Sequence, residues 1–205
     1  MNVPIEELIA QARSGDRTAC EVLFARYQPY LLVLARSQLG RHLRGKCEAS
    51  DVVQQTLLEA FRDFAHFQGQ REVELLAWLR RMLANNLYNE ARRFATQARA
   101  TEREISLDQI CLGLDQSSLL LGQQVAASGP TPIQDALQRE QSVLVATALA
   151  QLAEDYQTVL ILRVFEGLSA EEVAVRLNRT AGAVRMLQMR ALAALKEAIQ
   201  TLGNG

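Results

Sequence analysis

LSAEEVAVRLNRTAGAVRMLQMRALAALKEAI, residues 168–199, reads as two helices joined by a tight turn. Ser169 is suited to an N-cap, and Glu172, three residues on, completes a capping box that starts the first helix at Ala170. That helix runs to about Leu177 with Val173, Ala174 and Leu177 on its apolar side. Asn178 and Arg179 form the break, and Thr180 can cap a second helix reaching about Ile199. In the second helix Val184, Leu187, Ala191, Leu195 and Ala198 recur at spacings of three and four, so they share one face. At ~100° per residue, the opposite face carries Gly182, Arg185, Met186, Met189 and Arg190. From Arg179 to Lys196 there are four basic residues and no acidic one. A short helix, a tight turn and a longer helix with a basic outer face fit a helix-turn-helix, whose second helix enters the major groove and meets base edges. The plain alternative is a helical hairpin with a solvated basic face, because such patterns have false positives.

The rest of the chain supports a helical protein. Its 205 residues suggest one or two domains, and an apolar fraction of 49 % is enough for two small cores. Leu and Ala dominate, which favours helix over strand. No run alternates apolar and polar residues long enough to form a strand. The net charge of -1 does not advertise nucleic-acid binding, but the distribution matters more than the sum. Arg80 to Arg103 holds six arginines against Glu90 and Glu102. Leu107 to Asp155 holds only Arg139 against Asp108, Asp115, Asp135, Glu140, Glu154 and Asp155. Three cysteines, Cys20, Cys47 and Cys111, without a CxxC pair argue against a disulfide framework or a zinc site. They read as reduced thiols of a cytoplasmic protein. No run of ~18 apolar residues could span a membrane, so no membrane partner is expected.

In chain order, Ile5 to Arg13 forms a short helix ending at Gly15, and Asp16 caps a longer one carrying Cys20, Leu23, Phe24, Tyr27, Leu31, Leu34 and Ala35 past Pro29. A basic turn with Arg41, Arg44 and Lys46 follows. Ser50 then caps DVVQQTLLEAFRDF, with Val53, Leu57, Ala60, Phe61 and Phe64 on one side. Leu58 sits among Asp51, Gln55, Glu59 and Arg62 on the other side, where a leucine ringed by polar groups can anchor an interface. A long helix from about Glu72 to Arg99 packs Leu75, Trp78, Leu79, Met82 and Leu83 inward and leaves Arg80, Arg81, Asn85, Asn89, Arg92 and Arg93 around its surface. Arginine neutralises phosphate and asparagine pairs with base edges, so the mixture suits nucleic acid; a solvated face is the plain alternative. A Ser/Gln/Gly-rich stretch ending in Gly129-Pro130-Thr131-Pro132 marks a linker. The expected fold is all-α: two small helical domains, residues 1–103 and 133–205, joined by a linker at 104–132, with the helix-turn-helix in the second.

Three segments together resemble the bacterial sigma-70 family, in particular its small extracytoplasmic-function (ECF) group. Asp51-Val52-Val53-Gln54-Gln55-Thr56-Leu57-Leu58-Glu59-Ala60-Phe61 is similar to the family's D-L-V-Q-E-T-F-L-x-A-W. Ala77-Trp78-Leu79-Arg80-Arg81-Met82-Leu83-Ala84-Asn85-Asn86-Leu87 is similar to A-W-L-x-R-I-A-x-N-L. The third segment is the helix-turn-helix. Order, spacing and linker all match; Gln55, Asn89 and Arg185-Met186-Leu187 depart from the family pattern.

The resemblance implies a promoter-specificity subunit of RNA polymerase that catalyses nothing and needs no cofactor or metal. It implies that Asp51, Gln54, Gln55, Leu58 and Arg62 dock on the clamp helices of the polymerase β′ subunit. Arg80, Arg81, Asn85, Asn89, Arg92 and Arg93 would grip the −10 region. Arg179, Thr180, Arg185, Met186, Met189 and Arg190 would contact the −35 element while the domain sits on the β-subunit flap. The implied partners are core RNA polymerase, promoter DNA and an anti-sigma factor. Two other readings compete: a stand-alone helix-turn-helix regulator on a palindromic operator, and a helical protein-interaction adaptor. An enzyme is not expected, since His42 and His66 have no evident nucleophile or metal-ligand partner and no Gly-rich phosphate loop is present.

Overall fold

Helical spacing of apolar residues carries through to the structure, a computed structural model that describes residues 3–42, 47–98, 106–123 and 132–203. Among the described residues every regular element is helical: α1 (Ile5–Arg13), α2 (Arg17–His42), α3 (Ala49–Asp63), α4 (Glu72–Ala98), α5 (Leu107–Gln123), α6 (Pro132–Ala150), α7 (Glu154–Leu160), α8 (Ala170–Leu177) and α9 (Ala181–Gly203). The expected basic turn over residues 40–46 starts too early, since 40–42 are the end of α2; residues 43–46, and 124–131 of the expected linker, lie outside the described residues. The chain divides into two compact units, Met1–Gln116 and Ser117–Gly205, and each is taken by itself below.

In the first unit α2 is the central rod. It packs against α1, α3 and α4, and α3 packs against α4. Leu23, Tyr27, Tyr30, Leu31 and Leu34 of α2 are fully buried together with Leu75, Leu76, Leu79 and Leu83 of α4. Burying each such side chain is worth about 1.5–3 kcal/mol. Gly15, at φ 98°, turns the chain between α1 and α2, a conformation that glycine adopts without a Cβ clash. The Asp16 carboxylate accepts from the Thr18 and Ala19 backbone N–H groups at 2.9 and 3.2 Å, the expected cap of α2. Pro29 lies inside α2, which continues past it. Ser50 is not the cap of α3: the helix starts one residue earlier, at Ala49, and Glu48 precedes it without a side-chain cap. Phe24, Phe61, Phe64, Phe67 and Trp78 form an aromatic cluster, with Phe67 and Trp78 centroids 5.1 Å apart. The cluster fixes the turn between α3 and α4, and Trp78 is half-buried within it.

The stretch 104–132 read as a linker carries α5 over Leu107–Gln123, and the division between the units falls inside this helix. Ile110 and Leu114 are buried, and Gly113 sits so close to the Gln38 side chain that an added Cβ would lie 2.4 Å from its oxygen. The first half of α5 therefore belongs to the first unit's core.

In the second unit α9 packs against α6, α7 and α8. Val143, Ala146, Val159, Leu160, Val173, Val184, Ala191 and Leu195 make the core. Beyond α7, residues Ile161–Phe165 widen into a π-type turn in which the Glu166 N–H donates to the Ile161 carbonyl at 3.0 Å. Among the described residues no helix is long and apolar enough to cross a membrane, and Cys20, Cys47 and Cys111 are free thiols.

Candidate nucleic-acid and protein interfaces

Ser169 and Glu172 set the start of α8 as their spacing predicts. The Glu172 N–H donates to the Ser169 hydroxyl at 3.1 Å, and the Ser169 N–H donates to the Glu172 carboxylate at 2.7 Å. Asn178 ends α8 in the left-handed conformation, φ 51°, which asparagine tolerates better than most residues. Thr180 caps α9, accepting from the Ala183 N–H at 3.2 Å. Short helix, tight turn and long helix are thus in place, with the start of each helix fixed by a side-chain cap.

Val184, Ala191 and Leu195 turn inward, which leaves Arg185, Met186, Met189 and Arg190 exposed. The Arg185 guanidinium donates to the Glu171 carboxylate at 2.6 Å, and Arg179 reaches Asp155 at 2.6 Å. Both pairs are open to water and worth at most about 1 kcal/mol each, so they orient the cations without neutralising them for a stronger partner. Arg163 is a further structural residue of this unit, not among those expected from the sequence. Its guanidinium donates to the Gln188 side chain of α9 at 2.9 Å and to the Leu168 carbonyl, tying α9 to the turn before α8. A lone arginine in the apolar run Val159–Phe165 was the available signal. Arg176 of α8, paired at 2.6 Å with the nearly inaccessible Glu166, ties α8 to the same turn.

On α4, Arg81, Asn85, Asn89, Arg92 and Arg93 are exposed. Arg81, Asn85 and Asn89 follow at intervals of four, and Arg92 and Arg93 extend that line, so they form one stripe. Arg92 lies over the Tyr88 ring and Arg93 over Phe94, at 5.7 and 5.1 Å from the centroids, and Arg93 also pairs with Glu90 at 3.3 Å. Arg80 stands apart from this stripe. It is 9 % exposed, donating to the Tyr30 hydroxyl at 3.0 Å and to Asp115 of α5 at 2.9 Å. Burial works to lower its pKa; the charges and hydrogen bonds of Tyr30 and Asp115 outweigh that and hold it above the usual arginine value. The reason for its placement is its register, since Leu76 and Leu83 stand four before and three after it on the buried side. Arg80 is accordingly left out of the proposed DNA-facing set.

On α3, Asp51, Gln54, Gln55, Leu58 and Arg62 are all exposed and share a stripe, with Leu58 65 % exposed in its middle. Gln55 donates to Glu59 at 2.7 Å and Arg62 to Asp63 at 3.1 Å. Asn86, another residue the sequence reading passed over, holds the two helices in register: its amide donates to Thr56 at 3.1 Å and to Glu59 at 2.9 Å. An open groove of about 520 Å³ runs between α3 and α4, lined by Asp51, Gln55, Asn86, Asn89, Glu90 and Arg93 among others. Asp51 and Gln55, expected to meet protein, and Asn89 and Arg93, expected to meet DNA, are therefore neighbours across one groove.

The chain is similar to known proteins along nearly its whole length. Residues 23–96 match the family description "Sigma-70 region 2", and residues 142–195 match "Sigma-70, region 4". The RNA polymerase sigma-H factor of Pseudomonas aeruginosa is 28% identical over 96% of this chain and 94% of its own length. The ECF RNA polymerase sigma factor SigD of Mycobacterium tuberculosis is 30% identical over 98% of this chain and 86% of its own. Among solved structures, CnrH in complex with the cytosolic domain of CnrY is 25% identical over 96% of this chain and 97% of that one, with a TM-score of 0.37. With the motifs, the helical architecture and full-length similarity in agreement, the chain belongs to the sigma-70 family, in its ECF group, and is an RNA polymerase sigma factor.

Proposed function

We propose that the chain binds core RNA polymerase through the α3 stripe, Asp51, Gln54, Gln55, Leu58 and Arg62, and contacts promoter DNA at two places. Arg81, Asn85, Asn89, Arg92 and Arg93 of α4 meet the −10 region. Arg179, Thr180, Arg185, Met186, Met189 and Arg190 meet the −35 element. Residues 1–103 serve the first set of contacts and 133–205 the second, with 104–132, α5 included, between them. The observation that carries this reading is the pair of exposed stripes on adjacent helices: on α3 a bare leucine, Leu58, among polar groups, and on α4 a basic, amide-rich line, with Asp51 and Gln55 facing Asn89 and Arg93 across the groove between them. Leucine desolvates against a protein surface, whereas arginine and asparagine suit phosphates and bases.

The mechanism follows from these groups. Melting a promoter requires unpaired bases to be captured, and unstacking costs on the order of a few kcal/mol per base. Phosphate contacts from Arg81, Arg92 and Arg93 offset part of that cost and make binding fall with salt. Two weak DNA contacts on one chain reinforce each other through effective concentration once the polymerase holds both units. The core enzyme then supplies most of the affinity, which is why a net charge of -1 suffices. The chain takes no catalytic step of its own in this scheme. ECF membership brings a further proposed partner, an anti-sigma factor.

The test is co-purification with core polymerase. Leu58→Asp places a charge in the stripe and is expected to weaken core binding by tenfold or more, with an unchanged helical circular dichroism spectrum because Leu58 is exposed. Undiminished core binding by this variant would remove α3 from the interface. Tight, sequence-specific DNA binding by the purified chain without core would favour the stand-alone regulator instead.

A further inference from the structure

Resting on the reading of α9 as the helix that enters the major groove, we infer that Met186 and Met189 read thymine methyl groups in the −35 element. On α9 the line opposite the buried Val184, Ala191 and Leu195 runs through Gly182, Met186, Met189 and Ala193. Met186 is 50 % exposed and Met189 64 %. Arg185 lies on one flank of this line, tied at 2.6 Å to Glu171, and Arg190 on the other. No acidic residue occurs from Arg179 to Lys196, so the surroundings favour a polyanion over an apolar protein face.

A helix seated in the major groove meets base edges along its outermost line and phosphates along its flanks. Here the outermost line carries no side-chain hydrogen-bond donor, only methylene and thioether surface with a weakly accepting sulfur. The base-edge group that such a surface complements is the C5-methyl of thymine. Methionine is flexible enough to follow a methyl group to either side of the step it faces. Gly182 is an independent pointer to the same geometry. A Cβ added there would meet nothing within 4 Å, and its φ lies outside the left-handed range, so neither space nor backbone conformation inside the protein calls for glycine. Glycine is a poor helix former in the first turns of α9, and what it provides is room for close approach from outside.

The experiment is run-off transcription with core polymerase and the full-length chain on the strongest promoter recovered from a randomised library. The −35 thymines are replaced one at a time by deoxyuridine, which removes a methyl group and nothing else. The unaltered protein should lose about fourfold in promoter use for each contacted methyl, the worth of about one buried methylene. The double variant Met186→Ala, Met189→Ala, whose altered residues are exposed, should use thymine and deoxyuridine templates equally. Equal use of both templates by the unaltered protein would overturn the inference, as would a strongest promoter without thymine in its −35 element. If scrambling the −35 element abolishes transcription while deoxyuridine leaves it intact, only the methyl reading fails. If scrambling has no effect, the assignment of α9 itself fails, and the inference with it.

Discussion

The outer stripe of α4 and the outer face of α9 are both proposed to meet DNA, but the two are supported in different ways. Beneath α4, polar groups are buried and linked: Arg80 to Tyr30 and Asp115, Asn86 to Thr56 and Glu59, and Tyr27 to Glu72 at 2.8 Å. Beneath α9 the buried side chains are mostly apolar, with Arg163 to Gln188 as a part-buried polar tie, and the ionic contacts of its proposed DNA face, Arg179–Asp155 and Arg185–Glu171, lie at the surface. Buried polar links must all be made together, since each unmade one leaves a desolvated group, so they specify one arrangement. Surface pairs exchange partners at little cost. A stripe proposed to hold unpaired bases thus stands on a rigid bed, and a face proposed to lie along intact duplex keeps cations that can be handed to phosphate.

The largest test of this contrast is Arg80→Ala. It removes a buried cation and both of its links, and should lower the stability of the first unit by about 2–3 kcal/mol, below the figure for a fully enclosed pair because Asp115 is largely exposed. Chemical denaturation measures it; an unchanged midpoint would mean that the bed under α4 does not depend on this link. Asn86→Ala comes next, with an expected loss of about 1–2 kcal/mol from the two severed α3–α4 hydrogen bonds. Arg185→Ala should change stability by less than about 0.5 kcal/mol, while promoter use that depends on the −35 element falls; a large loss of stability would contradict the surface character assigned to that pair.

The smallest effect concerns the start of α4. The Gln70 and Arg71 backbone N–H groups, and then the Arg71 side chain, hold the Glu74 carboxyl at about 2, below its ordinary value of 4.5. A lowered carboxylate pKa adds stability above the ordinary value, and that contribution is lost as pH falls toward the folded one. An acid titration followed by circular dichroism should therefore show a small extra loss between about pH 4.5 and 2 that Glu74→Gln abolishes.

Much of this arrangement was legible in the residues because helices announce themselves through period and caps. Ser169 with Glu172, Asp16, Thr180 and the three-and-four spacing of Val184, Leu187, Ala191 and Leu195 all gave the right local structure. The exposed α3 stripe was legible for the same reason, as one leucine at a polar register. Arg80 was misplaced because residue type was given more weight than register: Leu76 and Leu83 already put it on the inner face. Ser50 misled in the opposite way, since Ala49 opens α3 without a side-chain cap. The extent of α5 was obscured by its Ser, Gln and Gly content, and only tertiary contacts such as Asp115 with Arg80 show where its first half belongs. Asn86 and Arg163 act between helices distant in sequence, and nothing local marks their partners.

The most direct measurement is run-off transcription by core polymerase and this chain across a promoter library randomised over both upstream elements. Two enriched sequence blocks at a fixed separation are expected, with Arg185→Ala and Arg190→Ala relaxing selection only in the upstream block and Asn85→Ala and Asn89→Ala only in the downstream one. A single enriched block, or selection in both blocks that these four substitutions leave untouched, would contradict the account.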